Sequence, residues 1–258
     1  MTTSADQRWP STLWIVRHGE SAGNVARDIA DAAGHHVIDI PMRDVDVPLS
    51  PLGERQATAV GHWFASAPED RQPTVVLTSP YLRARRTAEL ISEVGGFASG
   101  VAELFVDERL REREFGVLDR LTTAGIKALH PDQAEFRRLL GKFYHRPPGG
   151  ESWCDVILRL RSALDTISLH HSGERVLVVA HQVVVLCLRY LLECMTEEDI
   201  LAVDRATEIA NCSVTAYEFD ASVGRHGQLV LRLFNFVAPL EVEGAPVTSR
   251  PDVEIAAK

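Results

Sequence analysis

Leu13-Trp14-Ile15-Val16-Arg17-His18-Gly19-Glu20 is the stretch that decides the fold. Four apolar residues in a row read as a short strand buried on both faces, and the run stops abruptly at two basic side chains and a glycine. The pattern returns twice. Val75-Val76-Leu77-Thr78 leads through Ser79-Pro80 to Arg83, and Val176 to Ala180 ends in His181-Gln182. Between these runs lie stretches with helical spacing. Residues 51–66 are opened by Ser50 as a cap with Pro51 in the first turn, and Ser79-Pro80 repeats that start for a helix to about Val94. Further helices fit Pro131 to Tyr144, Glu151 to His170 and Val183 to Leu192. A weaker strand covers Glu103 to Val106, and Ser213 to Phe219 alternates with Leu229 to Val237 like a hairpin. Strands alternating with helices predict an α/β fold, a three-layer α/β/α sandwich around a mostly parallel central sheet. The expected organisation is an N-terminal arm over 1–11, a single domain over 12–238 and a loosely ordered tail over 239–258. Residues 25–48, with Gly34, Pro41 and Pro48, read as an irregular insertion.

Composition narrows the function classes. The 258 residues are 45% hydrophobic and 24% charged, ordinary for a globular chain of a size that needs no disulfide or metal to hold a core. A balance of 27 basic against 36 acidic residues, net −9, argues against nucleic-acid or anionic-membrane partners. Cys154, Cys187, Cys194 and Cys212 form no CxxC pair and read as buried thiols. The N-terminal residues lack the apolar core of a signal peptide, so a cytoplasmic location is expected. GxSxG, GxGxxG and GxxxxGK are absent, which removes the serine-hydrolase, dinucleotide and P-loop readings.

In a parallel α/β sheet, ligands bind beyond the carboxyl ends of the strands. Arg17, His18, Arg83 and His181 all fall at such ends, where two guanidiniums and two imidazoles converge into an anion pocket. Arg43, His35 and His145 are weaker candidates for reading the rest of a ligand. The pairs His35-His36 and His170-His171 lack a carboxylate at ligand spacing, so no metal is expected.

Six landmarks, in order along the chain, carry a resemblance. They are Val16-Arg17-His18-Gly19-Glu20-Ser21-Ala22-Gly23-Asn24, Leu49 to Ala57, Thr78 to Ala88, Leu110-Arg111-Glu112-Arg113-Glu114-Phe115-Gly116, Pro148 to Ser152 and Val178-Val179-Ala180-His181. Together they resemble the histidine phosphatase superfamily, with its phosphoglycerate-mutase-like fold and RHG signature. The resemblance implies His18 as nucleophile, and Arg17, Arg83 and His181, with the Asn24 amide, as holders of the phosphoryl oxygens. It implies Glu112 as general acid, chosen from Glu108 and Glu114 by its place before Phe115-Gly116. Gln182 stands where the family commonly has glycine and is counted with the phosphate-binding groups. The activity implied is hydrolysis of a small phosphorylated metabolite without a cofactor, and phosphoglycerate mutase is the alternative. The short path from Glu112 to Glu151 leaves no room for the long lid that mutases carry. The oligomeric state and the identity of the substrate are not legible.

Overall fold

Among the described residues (7–97 and 102–249) of a computed structural model of the protein, six strands form one sheet. They are β1 (Thr12–Arg17), β2 (Val75–Thr78), β3 (Glu103–Val106), β4 (Arg175–Ala180), β5 (Val214–Asp220) and β6 (Gln228–Phe236), in the spatial order β3-β2-β4-β1-β5-β6. The first four are parallel, and β5 and β6 close one side antiparallel. Arg17 lies opposite Ala180, and Thr78 opposite Val179. The carboxyl ends of β1, β2 and β4 therefore finish side by side, which gathers the residues that follow them.

Period-two alternation sends the two faces of each central strand into different cores. Leu13, Ile15, Val176 and Val178 pack with α6 (Trp153–His170) and α7 (Gln182–Leu192). Trp14, Val16, Leu177 and Val179 pack with α2 (Pro51–Ala65) and α3 (Leu82–Gly95). This is the three-layer α/β/α sandwich with a mostly parallel sheet.

The structure corrects several expected boundaries. The segment 25–48 is not irregular throughout, because α1 (Ala22–Ala32) fills its first third. A capping box between Ser21 and Asn24 starts that helix, and Asn24, Arg27 and Ala30 place its buried face at helical spacing. α3 begins at Leu82 with Tyr81 as its N-cap, while the Ser79 hydroxyl takes the Tyr81 N–H at 3.3 Å and pairs with His181 Nε2 at 2.8 Å. Two helices went unforeseen: α4 (Thr123–Leu129), capped by Thr122, and α8 (Glu197–Ala206), capped by Thr196. α5 (Pro131–Tyr144) bends at Gly141, whose φ of 77° is outside the helical range. The chain beyond 238 is not loose up to 249. It forms α9 (Ala238–Val242), buries Leu240 and Ala245 against the α2–α3 core, and lets the Thr248 hydroxyl donate to Asn211 Oδ1. Residues 250–258 of the expected tail, and 1–6 of the expected arm, lie outside the described residues. Of the four thiols, Cys187 and Cys212 are buried, Cys154 is half-buried and Cys194 is exposed.

One backbone contact fixes the height of α2 against the turn after β1. A Cβ on Gly53 would stand 2.0 Å from the Glu20 carbonyl oxygen, and one on Gly19 would stand 2.4 Å from the Gly53 oxygen. Gly53→Ala should therefore separate α2 from the 17–20 turn, with a stability loss of about 1–3 kcal/mol typical of overpacking. A Tm fall of several degrees in a thermal melt is the expected result, and an unchanged Tm contradicts the contact.

A second set of buried groups lies between α5 and α6. Arg113 donates from Nε to the Glu151 carbonyl and from Nη2 to the His145 carbonyl. The His145 ring is 1% exposed. Burial, then the neighbouring Arg137 and Arg113, push its pKa down to about 4 from the ordinary 6.5. Between these values the unfolded chain binds the proton and the native chain does not, so this group removes stability as pH falls from 6.5 toward 4. His145→Leu should flatten the fall of Tm over that interval. Parallel Tm–pH profiles in both proteins would refute the assignment.

Candidate active site

The ends of β1, β2 and β4 bring His18, Arg83 and His181 within reach of one another. The turn after β1 is held from four sides. His18 N–H donates to Ala180 O, Gly19 N–H to Thr87 Oγ1, Glu20 N–H to Gln56 Oε1, and Asn211 Nδ2 to His18 O. Arg17 is fully buried, with one guanidinium N–H donated to the Ile209 carbonyl at 2.6 Å. The chain folds so because Gly19 passes close to α2 and a backbone that cannot bond in sheet fashion must find side-chain partners.

His18 has a defined tautomer. Its Nδ1 lies 2.7 Å from the Gly19 carbonyl oxygen, which can only accept, so Nδ1 carries the proton. Nε2 then presents its lone pair, and Arg83 Nε–H points at it from 3.3 Å. The His181 ring stands 5.1 Å away, centroid to centroid, tilted by 64°. His181 Nε2 is 2.8 Å from the Ser79 hydroxyl, and its Nδ1 is 3.8 Å from Glu112 Oε2. Glu112 is 1% exposed, and its other oxygen accepts the Arg113 backbone N–H at 2.7 Å.

The structure thus brings together His18, Arg83, Glu112 and His181, with Arg17 buried next to His18 in the chain at the end of β1. Asn24 lies beside Arg83 in the wall of an adjoining cavity. Its Oδ1 accepts from the Ser21 N–H and hydroxyl, so the donor its side chain can offer an anion is Nδ2. Gln182 opens α7 directly after His181 and is 8% exposed, with Oε1 buried. Glu108 begins a short turn before Leu110, and Glu114 accepts the Tyr81 hydroxyl while staying half exposed. Neither is placed against His181 as Glu112 is. Of the weaker candidates, Arg43 sits on the surface against Asp46, and His145 is buried beneath Arg113.

Two residues of the site escaped the sequence. Asp44, in the insertion, grips Arg83: Nη1 donates to its carbonyl at 2.7 Å and to Oδ1 at 2.9 Å, and Nη2 to Oδ2 at 3.3 Å. Nothing in its local sequence signals this, because the pairing joins distant segments. Ser79 reads as a helix cap, and only the convergence of β2 and β4 shows its hydroxyl on His181. Among the described residues no group of three or more His, Cys, Asp and Glu side chains is arranged to hold a metal ion. No described helix is long and apolar enough to cross a membrane.

Cations and a nucleophilic ring nitrogen placed together in this way can bind and react with an anionic group. The Arg83 guanidinium and the two imidazoles meet around the lone pair of His18 Nε2, the Glu112 carboxyl lies beside His181, and Arg17 is buried at the end of β1 just before His18. Comparison with known proteins agrees. "Probable phosphoglycerate mutase GpmB" of Photorhabdus laumondii is 31% identical over 212 residues, covering 81% of this chain and 86% of the relative. The solved structure of Bacillus stearothermophilus YhfR has a TM-score of 0.69 at 26% identity, covering 89% of this chain and 98% of that one. A mycobacterial glucosyl-3-phosphoglycerate phosphatase complexed with VO3 has a TM-score of 0.63 at 26% identity, covering 88% and 100%. The model of the histidine phosphatase superfamily (branch 1) matches residues 13–230, and with the RHG turn, the second arginine and the second histidine assembled in one pocket, the chain belongs to that superfamily.

Proposed function

We propose that the protein is a phosphatase that hydrolyses a small phosphate monoester through a phosphohistidine on His18. The observation that carries this reading is the His18 tautomer. With Nδ1–H bound to the Gly19 carbonyl, Nε2 is an uncharged nucleophile facing Arg83 and His181. Nε2 attacks phosphorus in line with the leaving oxygen. Arg17, Arg83 and His181, joined by Asn24 Nδ2 and the Gln182 amide, hold the non-bridging oxygens as charge shifts in the transition state. Glu112 gives its proton to the leaving oxygen. As a carboxylate it then takes a proton from the water that attacks the phosphohistidine, and inorganic phosphate leaves. The cations already present neutralise the phosphoryl group, so the proposed reaction needs no divalent metal and no cofactor. The proposed partner is a phosphorylated metabolite in the cytoplasm, with no nucleic acid or membrane engaged.

The names of curated relatives such as the Photorhabdus laumondii protein favour a second reading, a phosphoglycerate mutase that returns the phosphoryl group to another hydroxyl. The two differ in whether water reaches the phosphohistidine. Incubating the enzyme with 3-phosphoglycerate and with p-nitrophenyl phosphate, and measuring inorganic phosphate and 2-phosphoglycerate separately, decides between them. Inorganic phosphate in excess is expected. Accumulation of 2-phosphoglycerate without it establishes the mutase. Label from radioactive substrate should sit on His18 and vanish in His18→Ala, and activity should survive a chelator.

Glu112 has its own signature. Glu112→Gln keeps the hydrogen-bonding shape and removes the transferable proton. In single-turnover assays, phosphohistidine formation from alkyl phosphates should fall by about 10²–10⁴-fold, the usual worth of general acid help. It should fall far less from p-nitrophenyl phosphate, whose phenolate leaves without a proton. Equal losses on both would make Glu112 a positioning residue only.

A further inference from the structure

A cavity adjoins the phosphoryl pocket and shares two residues with it, Arg83 and Asn24. Its polar wall is Arg27 from α1, Asp44 from the insertion, and Asp119 and Arg120 from the turn before α4. Ile38, Ile40 and Val47 supply an apolar side. A group seated in this space is next to whatever Arg83 holds. Resting on the hydrolase reading above, we infer that this cavity is the subsite for the leaving group and that it takes an uncharged ring polyol, a sugar or cyclitol.

The charge pattern selects that class. Three guanidiniums and two carboxylates line the cavity; with Arg83 given over to the phosphoryl group, Arg27 and Arg120 balance Asp44 and Asp119 formally, and the wall offers both fixed donors and fixed acceptors. A hydroxyl is both donor and acceptor, so vicinal hydroxyls can satisfy such a wall pairwise. A second carboxylate or phosphate on the substrate meets Asp44 and Asp119. Those two already crowd each other: desolvation first, then the Asp44 carboxylate, push the Asp119 carboxyl above its ordinary value. A cationic leaving group meets Arg27 and Arg120 instead. The apolar side suits the C–H face of a ring.

The wall is also preformed. Val37 pairs with Leu121, Ile38 N–H donates to Arg120 O, Thr122 N–H to His36 O, and Arg120 Nη2 to Met42 O. Arg120 holds a φ of 58°, a conformation that favours glycine, and its N–H is tied to Asp119 Oδ1. Backbone strain of this kind persists where surrounding contacts over-determine it. Asp44 links the two sites. It now occupies the Arg83 nitrogens that a phosphoryl group requires. A phosphate on Arg83 displaces that carboxylate and leaves it on the cavity wall as an acceptor for a substrate hydroxyl.

The test compares myo-inositol 1-phosphate, glucose 6-phosphate and ribose 5-phosphate with 3-phosphoglycerate, choline phosphate and p-nitrophenyl phosphate. Two variants are assayed beside the wild type. Asp119→Asn removes one acceptor charge, and Arg120→Gly removes the guanidinium while easing the positive φ, so the turn keeps its shape. In the wild type, kcat/KM for at least one ring-polyol phosphate should exceed that for 3-phosphoglycerate and choline phosphate. In each variant, the ratio of kcat/KM for that polyol phosphate to that for p-nitrophenyl phosphate should fall roughly tenfold or more, mostly through KM, the worth of one hydrogen bond to a charged group. Asp119→Asn should at the same time narrow the gap to 3-phosphoglycerate. A wild-type preference for 3-phosphoglycerate or choline phosphate, or variants that leave the ratio unchanged, would overturn the subsite. If the wild type turns over p-nitrophenyl phosphate and labels His18, such a result leaves the hydrolase reading standing. If it does neither, that reading fails and the subsite with it.

Discussion

Everything in the pocket depends on how the turn from Arg17 to Glu20 is held at the end of β1. The turn leaves the sheet and crosses toward the α2–α3 layer, so its backbone groups lose their ladder partners. β4, α3, α2 and the loop before β5 each supply one replacement: Ala180 O, Thr87 Oγ1, Gln56 Oε1 and Asn211 Nδ2. Ser50 adds a fifth contact, its N–H on Glu20 O and its hydroxyl on the Glu20 carboxylate. Four elements of the structure thus converge on four residues. His18 is held in place because Arg17, His18 and Gly19 are buried and bonded on several sides.

The same arrangement sets the electrostatics. The chain is acidic overall, net −9, yet Arg17 and Arg83 are almost wholly buried. A buried cation is costly unless it is bonded and balanced. Arg17 finds the Ile209 carbonyl and Arg83 finds Asp44. Global charge and local field therefore point in opposite directions, and the local field governs what binds.

The extent to which the site was legible follows from how local its causes are. Arg17-His18-Gly19, Arg83 and His181 could be read because each follows a strongly apolar strand, and strand ends in a parallel sheet are known to share an edge. Glu112 was legible through the residues around it, Leu110 and Phe115-Gly116, rather than through any property of its own. Asp44 was illegible because its partner is distant in sequence and its segment has no periodicity. Ser79 was misread for a different reason: Ser-Pro is a good local signal for a helix start, and tertiary contact with His181 overrode it. The helices α4 and α8 hid behind short lengths and mixed composition, although Thr122 and Thr196 were in plain view as caps. The chain from 239 to 249 looked loose because Pro, Glu and Gly dominate it. Its anchors, Leu240 and Ala245, are too sparse to form a pattern.

The choice of Asp44 as the counter-ion for Arg83 has a physical logic of its own. A resting site with Arg83 unbalanced would be destabilised, whereas a site balanced by a buried carboxylate would resist an incoming phosphate. Asp44 avoids both extremes. Its side chain is 43% exposed, so it can return to water with little desolvation to undo, while Arg83 at 2% exposure cannot. A phosphate dianion offers more acceptor oxygens and more charge than one carboxylate, and therefore wins the guanidinium. The competition reduces apparent phosphate affinity by the fraction of sites that Asp44 holds. In the hydrolysis proposed above, that reduction would favour release of inorganic phosphate, and the same carboxylate would restore the charge balance around Arg83.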